Sequence, residues 1–186
     1  MLCHGFPHLW ISWHRQIGPL ADADLAARPR LFLERVFYAL SGDYHYLDVW
    51  QHPPGTPYID ALPEAPPLPW AWLESWEMDW LVAEYSRTGF TGGLNWYRAM
   101  DIRWQQRAAW RGQASAVPFH FIGSENDVDL EAWHGDDPLG TLSQHWSDVQ
   151  SVRMVPRAGH MLQLERSADV TAALLEILGP ISAARR

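Results

Sequence analysis

An aspartate and a histidine each follow a short apolar segment in the last third of the chain. Asp127 comes shortly after the apolar segment 117–122, and His160 comes shortly after the apolar segment 152–155. Sites of open α/β sheets form at the carboxyl ends of strands, so the two side chains are predicted to lie close together. A carboxylate beside an imidazole fixes its tautomer and stabilises the imidazolium that forms when the ring takes a proton. The alternative is that Asp127 caps the segment after it and that His160 is an ordinary loop residue.

The spacing of apolar residues predicts the strands and the helix that would carry these two loops. Segment 117–122 is a predicted strand that ends at Gly123, and segment 152–155 is a second predicted strand. Segment 168–178 is a predicted amphipathic helix that stops at Gly179-Pro180. The residues expected to face inward from this helix are Val170, Leu174, Leu175 and Leu178. Strands that alternate with helices favour parallel βα units.

The first two thirds of the chain are predicted to be mostly helical. The predicted helices that precede the first strand are 10–20, 33–40, 76–87 and 94–106. Ser75 is the expected N-cap of the third of these helices, and Gly89 is expected to end it. Seven of the 14 prolines lie in segment 53–69, so this segment is predicted to be an extended, irregular connection.

Tryptophan is abundant, with 12 residues in the chain. Helical spacing favours a core and a pocket wall within the helical part as the location of six of them, because large aromatic side chains bury well there. These six are Trp70, Trp72, Trp76, Trp80, Trp96 and Trp104. The alternative is a surface that binds a carbohydrate or another ligand through exposed rings.

Composition excludes several classes of function. The chain has 186 residues and a formal net charge of −8, and all 14 of its basic residues are arginine. A net acidic chain without a basic patch argues against binding to nucleic acid and to an anionic membrane surface. A single cysteine excludes an internal disulfide framework. No apolar run is long enough to span a bilayer and the first residues do not match a signal peptide, so the predicted location is the cytoplasm.

A metal centre is not predicted. His4 and His8 are four residues apart, but Gly5 and Pro7 lie between them and disfavour the helix that would bring their rings together. The sequence has no His-Glu-x-x-His motif, and its one cysteine rules out a cysteine-based zinc site. Neither a metal nor a cofactor is therefore expected.

Four parts of the sequence carry recognisable motifs. They are segment 4–17, which begins His-Gly-Phe-Pro; segment 87–98, which ends Asn-Trp-Tyr-Arg; Asp127; and segment 159–165, Gly-His-Met-Leu-Gln-Leu-Glu. Together they resemble the epoxide hydrolase family of the α/β-hydrolase superfamily. The resemblance covers nearly the whole chain, and the Asn-Trp-Tyr-Arg motif makes it specific. It implies an α/β fold with a mostly helical cap domain.

The resemblance also implies a mechanism and roles for four residues. In this family an aspartate on a sharp strand-to-helix turn opens the epoxide and forms an ester, which an activated water then hydrolyses to the diol. The motif matches make Tyr97 a donor to the departing oxygen, His160 the base that activates water and Asp127 the acid that orients this base. Phe6 would supply one backbone N–H to the oxyanion. The implied substrate is a small apolar epoxide.

The sequence departs from the family at the nucleophile. The family carries it in a Gly-x-Asp-x-Gly turn between the oxyanion loop and the cap, but this chain has no such motif, and no residue is assigned as nucleophile. Asp22 and Asp24 lie at the expected junction without turn glycines. The resemblance therefore implies an incomplete α/β-hydrolase fold that retains only the last βα units, with a remnant of the core at 1–23, the cap at 24–108 and the C-terminal core at 109–186.

Several interpretations stay open. The chain is expected to be an internally deleted and N-terminally truncated epoxide hydrolase that is inactive as it stands. It is alternatively a non-catalytic remnant or interaction module that retains the cap, or the sequence omits a segment that an active enzyme carries. A haloalkane dehalogenase-like hydrolase shares the plan of nucleophile, histidine and acid, but Tyr97 favours epoxide chemistry because a phenol O–H stabilises a developing alkoxide. The residues indicate no oligomeric state.

Overall fold

The chain forms a helical part followed by a smaller part in which helices pack on two strands. The computed structural model describes residues 19–44, 46–49, 52–53, 56–134 and 139–184. Phe6, the rest of segment 1–18 and the predictions that fall on them lie outside the described residues.

In the described part of the chain, seven helices precede the first strand. They are α1 (Pro19–Ala27), α2 (Pro29–Ala39), α3 (Tyr46–Val49), α4 (Tyr58–Ala61), α5 (Ser75–Thr88), α6 (Thr91–Arg98) and α7 (Met100–Arg107), and a 3₁₀ turn follows at Ala108–Trp110. The second part comprises β1 (Phe119–Ser124), α8 (Val128–His134), α9 (Leu142–His145), β2 (Val149–Val155), α10 (Leu162–Glu165) and α11 (Ser167–Ala184). None of these helices combines the length and the apolar character needed to cross a membrane.

Helices α2 and α5 pack against each other at the centre of the helical part. The buried residues of this core are Leu25, Leu33, Ile59, Leu73, Met78 and Phe90. The apolar pattern at 33–40 correctly predicted a helix, which begins earlier, at Pro29, because proline suits the first turn of a helix. A second cluster joins the two parts of the molecule, since Val128 of α8 packs with Ala39, Tyr46 and Leu62.

Only the C-terminal end of α5 lies where the sequence predicted it. The helix ends at Gly89 as predicted, and the φ of 72° at this residue suits glycine. The predicted cap is wrong, because Ser75 is already the first helical residue and Glu74 precedes it. The side chain of Glu77 instead accepts a hydrogen bond from the backbone N–H of Glu74 at 2.8 Å, which satisfies one of the donors at the helix start.

The single helix predicted at 94–106 is divided into α6 and α7. The division is at Ala99, whose N–H bonds to the carbonyl of Asn95 at 3.0 Å and whose carbonyl accepts from the N–H of Arg103 at 2.9 Å. Neither helix contains a buried residue, so no packed face holds the segment as one straight rod.

The proline-rich segment 53–69 is irregular in its described residues except for the one-turn helix α4. Ile59 and Leu62 are buried, with relative exposures of 0% and 4%. The segment therefore packs into the core of the helical part, and it is not a free linker.

The prediction for the tryptophans is wrong for four of the six. Trp76, Trp80, Trp96 and Trp104 are 62–67% exposed, whereas Trp70 and Trp72 pack partly buried against the core. The geometry of α5 explains the first two, because this helix buries Met78 and residues two positions away point to its opposite side. Trp96 and Trp104 lie on α6 and α7, which bury nothing.

The two strands pair in parallel, as the alternation of strands and helices predicts. β1 extends two residues beyond the predicted end, to Ser124, and β2 begins earlier than predicted, at Val149. The ladder runs from Phe119 opposite Val149 to Ser124 opposite Val155, with an irregularity after Phe119. Parallel pairing brings the carboxyl ends of both strands to the same edge.

Two predictions for the closing helix are wrong. Helix α11 continues through Gly179-Pro180 to Ala184, because proline removes a single backbone donor and does not always end a helix. Its leucines also do not face inward: Leu174, Leu175 and Leu178 are exposed, whereas Ala173 is buried. The helix meets the two strands through the face of Ala173, and in the described residues no further layer covers the leucines.

Candidate active site

The loops that follow β1 and β2 form the candidate site. Backbone hydrogen bonds join the two loops, from the N–H of Glu125 to the carbonyl of Val155 at 3.2 Å and from the N–H of Asn126 to the carbonyl of Ala158 at 3.1 Å. The strand ends are well anchored, because Ser124 and Val155 are both buried. These contacts place the residues that follow, Asp127 and His160, beside each other.

His160 and Asp127 form a hydrogen bond between Nδ1 and Oδ1 at 3.0 Å. The same carboxylate oxygen accepts the backbone N–H of Asp129 at 2.9 Å, at the start of α8. Asp127 therefore caps the following helix, as one alternative predicted, and also forms the predicted contact with His160. With Nδ1 as the donor to the carboxylate, the lone pair of the neutral ring lies on Nε2, which is the nitrogen left to take a proton.

The charges around the pair favour its ionised form. Burial would raise the pKa of Asp127, but the hydrogen bonds from His160 and from the N–H of Asp129, together with the charge of His160, outweigh burial and lower this pKa. The hydrogen bond to Asp127 is the main cause that raises the pKa of His160; burial opposes it, and the charges of Asp127 and Asp129 add to it. The imidazole thus binds a proton more strongly than an ordinary histidine does.

Tyr97 lies on α6 in the electrostatic range of this cluster. Burial is the main cause that raises the pKa of its phenol, and the negative charge of Asp129 is the second. The phenol consequently stays protonated at neutral pH and can donate a hydrogen bond, although the residue as a whole is 42% exposed. Helix α6 is tied to α1 through Asp22, which accepts hydrogen bonds from Thr91 at 2.9 Å and from Arg98 at 2.5 Å.

A second set of residues holds the loop that carries His160, and the sequence did not reveal their role. The backbone N–H of Gly159 donates to both carboxylate oxygens of Glu165 at 3.1 Å, and its carbonyl accepts the buried hydroxyl of Ser124 at 2.6 Å. The backbone N–H of His160 donates to the carbonyl of Leu40 at 2.8 Å. The segment 159–165 suggested the histidine loop, but no spacing rule indicates that its Glu165 also reaches the end of α2.

The structure gives two aspartates considered near the missing nucleophile a structural role. Asp22 binds Thr91 and Arg98, and Asp24 forms an ion pair with Arg28 at 2.6 Å. Both carboxylates are thus engaged by neighbouring side chains and neither is presented on a strand-to-helix turn.

One group among the described residues has the spacing of a metal-ligand set. Single ligand atoms of Asp127, Asp129 and His160 all lie within 4.8 Å of one another. Asp129 Oδ2 is 3.7 Å from Nδ1 of His160, but that nitrogen is already bonded to Asp127. The hydrogen bond of His160 to Asp127 and its closeness to Asp129 explain why these three side chains lie together.

Comparison with known proteins finds epoxide hydrolases that are similar to this chain. No family model matches the sequence. The chain is 38% identical to Epoxide hydrolase A of Mycobacterium tuberculosis over 171 residues, which are 91% of this chain and 51% of that protein. It is 31% identical to Epoxide hydrolase 1 of Siraitia grosvenorii over 126 residues, or 63% of this chain and 37% of the relative.

Two solved structures have a similar fold. Epoxide Hydrolase A from Mycobacterium thermoresistibile matches with a TM-score of 0.78 and 32% identity over 92% of this chain and 52% of that one. An epoxide hydrolase from an endophytic Streptomyces matches with a TM-score of 0.83 and 28% identity over 97% of this chain and 54% of that one. The chain spans about half the length of the curated relatives it matches. These relatives and structural neighbours are epoxide hydrolases, and the fold of this chain is that of an incomplete α/β-hydrolase.

Proposed function

We propose that this chain carries the water-activating half of an epoxide hydrolase site. His160 is the general base, Asp127 orients it, and Tyr97 donates a hydrogen bond to the epoxide oxygen. The observation that carries the proposal is the 3.0 Å hydrogen bond between His160 and Asp127 at the ends of two parallel strands. The names of its relatives point to an epoxide as the substrate.

The proposed chemistry is a two-step hydrolysis. A carboxylate attacks an epoxide carbon, the carbon–oxygen bond breaks, and the departing oxygen accepts a hydrogen bond and then the proton of the Tyr97 phenol. Nε2 of His160 next takes a proton from water, and the resulting hydroxide attacks the ester carbonyl. When the tetrahedral intermediate collapses, the imidazolium of His160 gives its proton to the leaving alkoxide and the diol is released. The carboxylic acid that remains gives up its proton, which restores the carboxylate and the Tyr97 phenol. Phe6 is proposed to supply one N–H to the oxyanion.

The first of these steps needs a nucleophile that the 186 residues do not present in the family's motif. Asp127 is engaged by His160 and by a helix N-terminus, and Asp22 and Asp24 are held by arginines. We therefore propose that these residues on their own form no covalent ester and turn over no epoxide. The division into cap and C-terminal core, at residues 108 and 109, is part of the same proposal.

A chimera tests the proposed function. Residues 24–186 replace the matching part of Epoxide hydrolase A of M. tuberculosis, so that the rest of that enzyme supplies the missing core. The chimera is expected to convert styrene oxide to its diol, measured by chromatography, and the isolated chain is expected to convert none. His160→Ala should stop turnover of the chimera and leave the covalent ester intact, because the ester forms but no base activates water.

Intact-protein mass spectrometry should detect the trapped ester, as an increase in the mass of the His160→Ala chimera by the mass of one substrate molecule. His145→Ala is the matched control, since this exposed histidine lies on α9 away from the pair. A folded chimera without turnover, or one in which His160→Ala is as active as the parent, would contradict the role of His160. Turnover by the isolated chain that disappears in its His160→Ala variant would contradict the absence of a nucleophile.

A further inference from the structure

Two segments that are distant in sequence pack backbone against backbone behind His160. One is the corner 40–42 at the end of α2, and the other is the loop 158–160. A Cβ on Gly159 would lie 2.3 Å from the carbonyl oxygen of Leu40 and 2.6 Å from the nitrogen of Gly42, and a Cβ on Gly42 would lie 2.9 Å from the backbone of Ala158. Because real Cβ contacts are never so short with backbone atoms, both positions require glycine for the approach.

The side chain of Glu165 bridges these two segments. Its Oε2 accepts the backbone N–H of Gly42 at 2.8 Å and the N–H of Gly159 at 3.1 Å, and its Oε1 accepts the same N–H of Gly159 at 3.1 Å. Hydrogen bonds from neutral donors to a carboxylate are stronger than those between neutral groups. Since Ser124 holds the carbonyl of Gly159, this residue is fixed at both of its polar backbone atoms.

The two halves of the catalytic pair differ in how much they need such support. Asp127 is fixed locally, because its side chain accepts an N–H at the start of α8 two residues away. His160, in contrast, follows an irregular turn. Arg157 in this turn has a positive φ of 55°. The position of its ring relative to Asp127 therefore depends on where the loop is fastened.

We propose that Glu165 is a positioning residue that fastens the histidine loop to the end of α2 and so holds His160 at hydrogen-bond distance from Asp127. The catalytic meaning of this proposal rests on the proposed function. Its test does not, because it measures the pair in the intact 186-residue chain without turnover. A failure of the chimera to hydrolyse epoxide would leave this test unaffected.

The measured quantity is the pKa of the His160 imidazole, from the pH dependence of its ring signals in nuclear magnetic resonance spectra. Among the described residues, the charged groups that act on this ring are Asp127 and Asp129, and the charge of Asp129 also acts on the phenol of Tyr97. The charge of Glu165 is not among the causes that raise this pKa. An effect of Glu165 on it therefore reports the position of the ring.

Glu165→Ala is expected to lower the pKa of His160, to a value between those of the unaltered chain and of the Asp127→Asn variant. Glu165→Gln keeps one oxygen that can accept both N–H groups, as Oε2 does, and is expected to retain most of the raised pKa. The amide protons of Gly42 and Gly159 should move upfield in Glu165→Ala, since each loses a carboxylate acceptor. An unchanged pKa in a folded Glu165→Ala variant, or an equal fall in Glu165→Gln, would overturn the positioning role.

Gly42→Ala moves the same corner without altering Glu165, and it carries the test if Glu165→Ala does not fold. Its methyl group would meet the backbone of Ala158, so the two segments must separate and the pKa of His160 should fall. Gly92→Ala is the matched control, because nothing lies within 4 Å of its Cβ position. If Gly42→Ala leaves the pKa of His160 at the level of Gly92→Ala, the packing of these two segments does not position the ring.

Discussion

The histidine loop and helix α6 hold their functional side chains in very different ways. The loop that carries His160 is fastened to β1, to the end of α2 and to α10 by hydrogen bonds from successive backbone groups. Helix α6, which carries Tyr97, buries no residue, and the hydrogen bonds from Thr91 and Arg98 that attach it to α1 both end on the carboxylate of Asp22. In the proposed function, the base His160 is therefore preorganised by several backbone hydrogen bonds, whereas the donor Tyr97 lies on a helix with fewer attachments.

The largest expected effect is that of replacing Asp127, the hydrogen-bond partner of His160. Asp127→Asn in the chimera should lower the rate of ester hydrolysis by about 10²–10⁴-fold, because an amide neither fixes the imidazole tautomer nor stabilises the imidazolium. Single-turnover kinetics would separate this step from ester formation, which should change little. Glu125→Gln is the matched control, since its side chain is exposed in the same loop. Equal losses in both steps would indicate that Asp127 supports the fold of the site and does not act through His160.

The pH dependence of stability provides the next test of this region. The contribution of His160 is fully present below its ordinary pKa of 6.5 and is lost as the pH rises through its raised value in the folded chain. That of Asp127 is present above its ordinary pKa of 3.8 and is lost as the pH falls through its lowered value. The difference in Tm between the unaltered chain and Asp127→Asn should therefore be largest between pH 3.8 and 6.5 and shrink on both sides.

The Asp129→Asn variant tests which carboxylate pairs with His160, through the pKa of the imidazole. Asp129 raises the pKa of His160 through its charge alone, and this cause is weaker than the hydrogen bond of Asp127. Its removal should lower the pKa of His160 less than Asp127→Asn does. The reverse order would mean that the imidazole pairs with Asp129 in solution.

The contact between Asp127 and His160 could be predicted from the sequence because it depends on local features, in each case an apolar strand followed by a polar loop. The sequence did not predict the support for the pair, because Glu165 reaches Gly42 across 123 positions and such a contact leaves no periodic signal. The leucines of α11 illustrate a second limit. Periodicity identified an apolar stripe, but the face that is buried depends on which elements lie opposite, and here that face carries Ala173.

Disrupting Asp22 tests the other side of the comparison. Asp22→Asn removes the charge that binds Arg98 and weakens the acceptor of Thr91, at an expected cost of about 1–2 kcal/mol for one partly buried and one exposed hydrogen bond. The amides of α6 should then exchange with solvent about 5–30-fold faster, whereas those of the loop at 158–160 should keep their rates. Asp24→Asn is the control, because Asp24 pairs with Arg28 and not with α6. Exchange that accelerates equally in both regions would contradict their separate attachment.

The smallest expected effect comes from the contact that links α6 to α7. The guanidinium of Arg103 lies 3.5 Å from the centre of the exposed Trp96 ring, and a cation–π contact at such a site contributes about 0.5–1 kcal/mol. Arg103→Ala should accelerate amide exchange in α6 about 2–5-fold and leave the pKa of His160 unchanged, with Arg107→Ala on the same helix as control. A larger effect than that of Asp22→Asn would mean that α7, and not α1, is the element that holds Tyr97 in place.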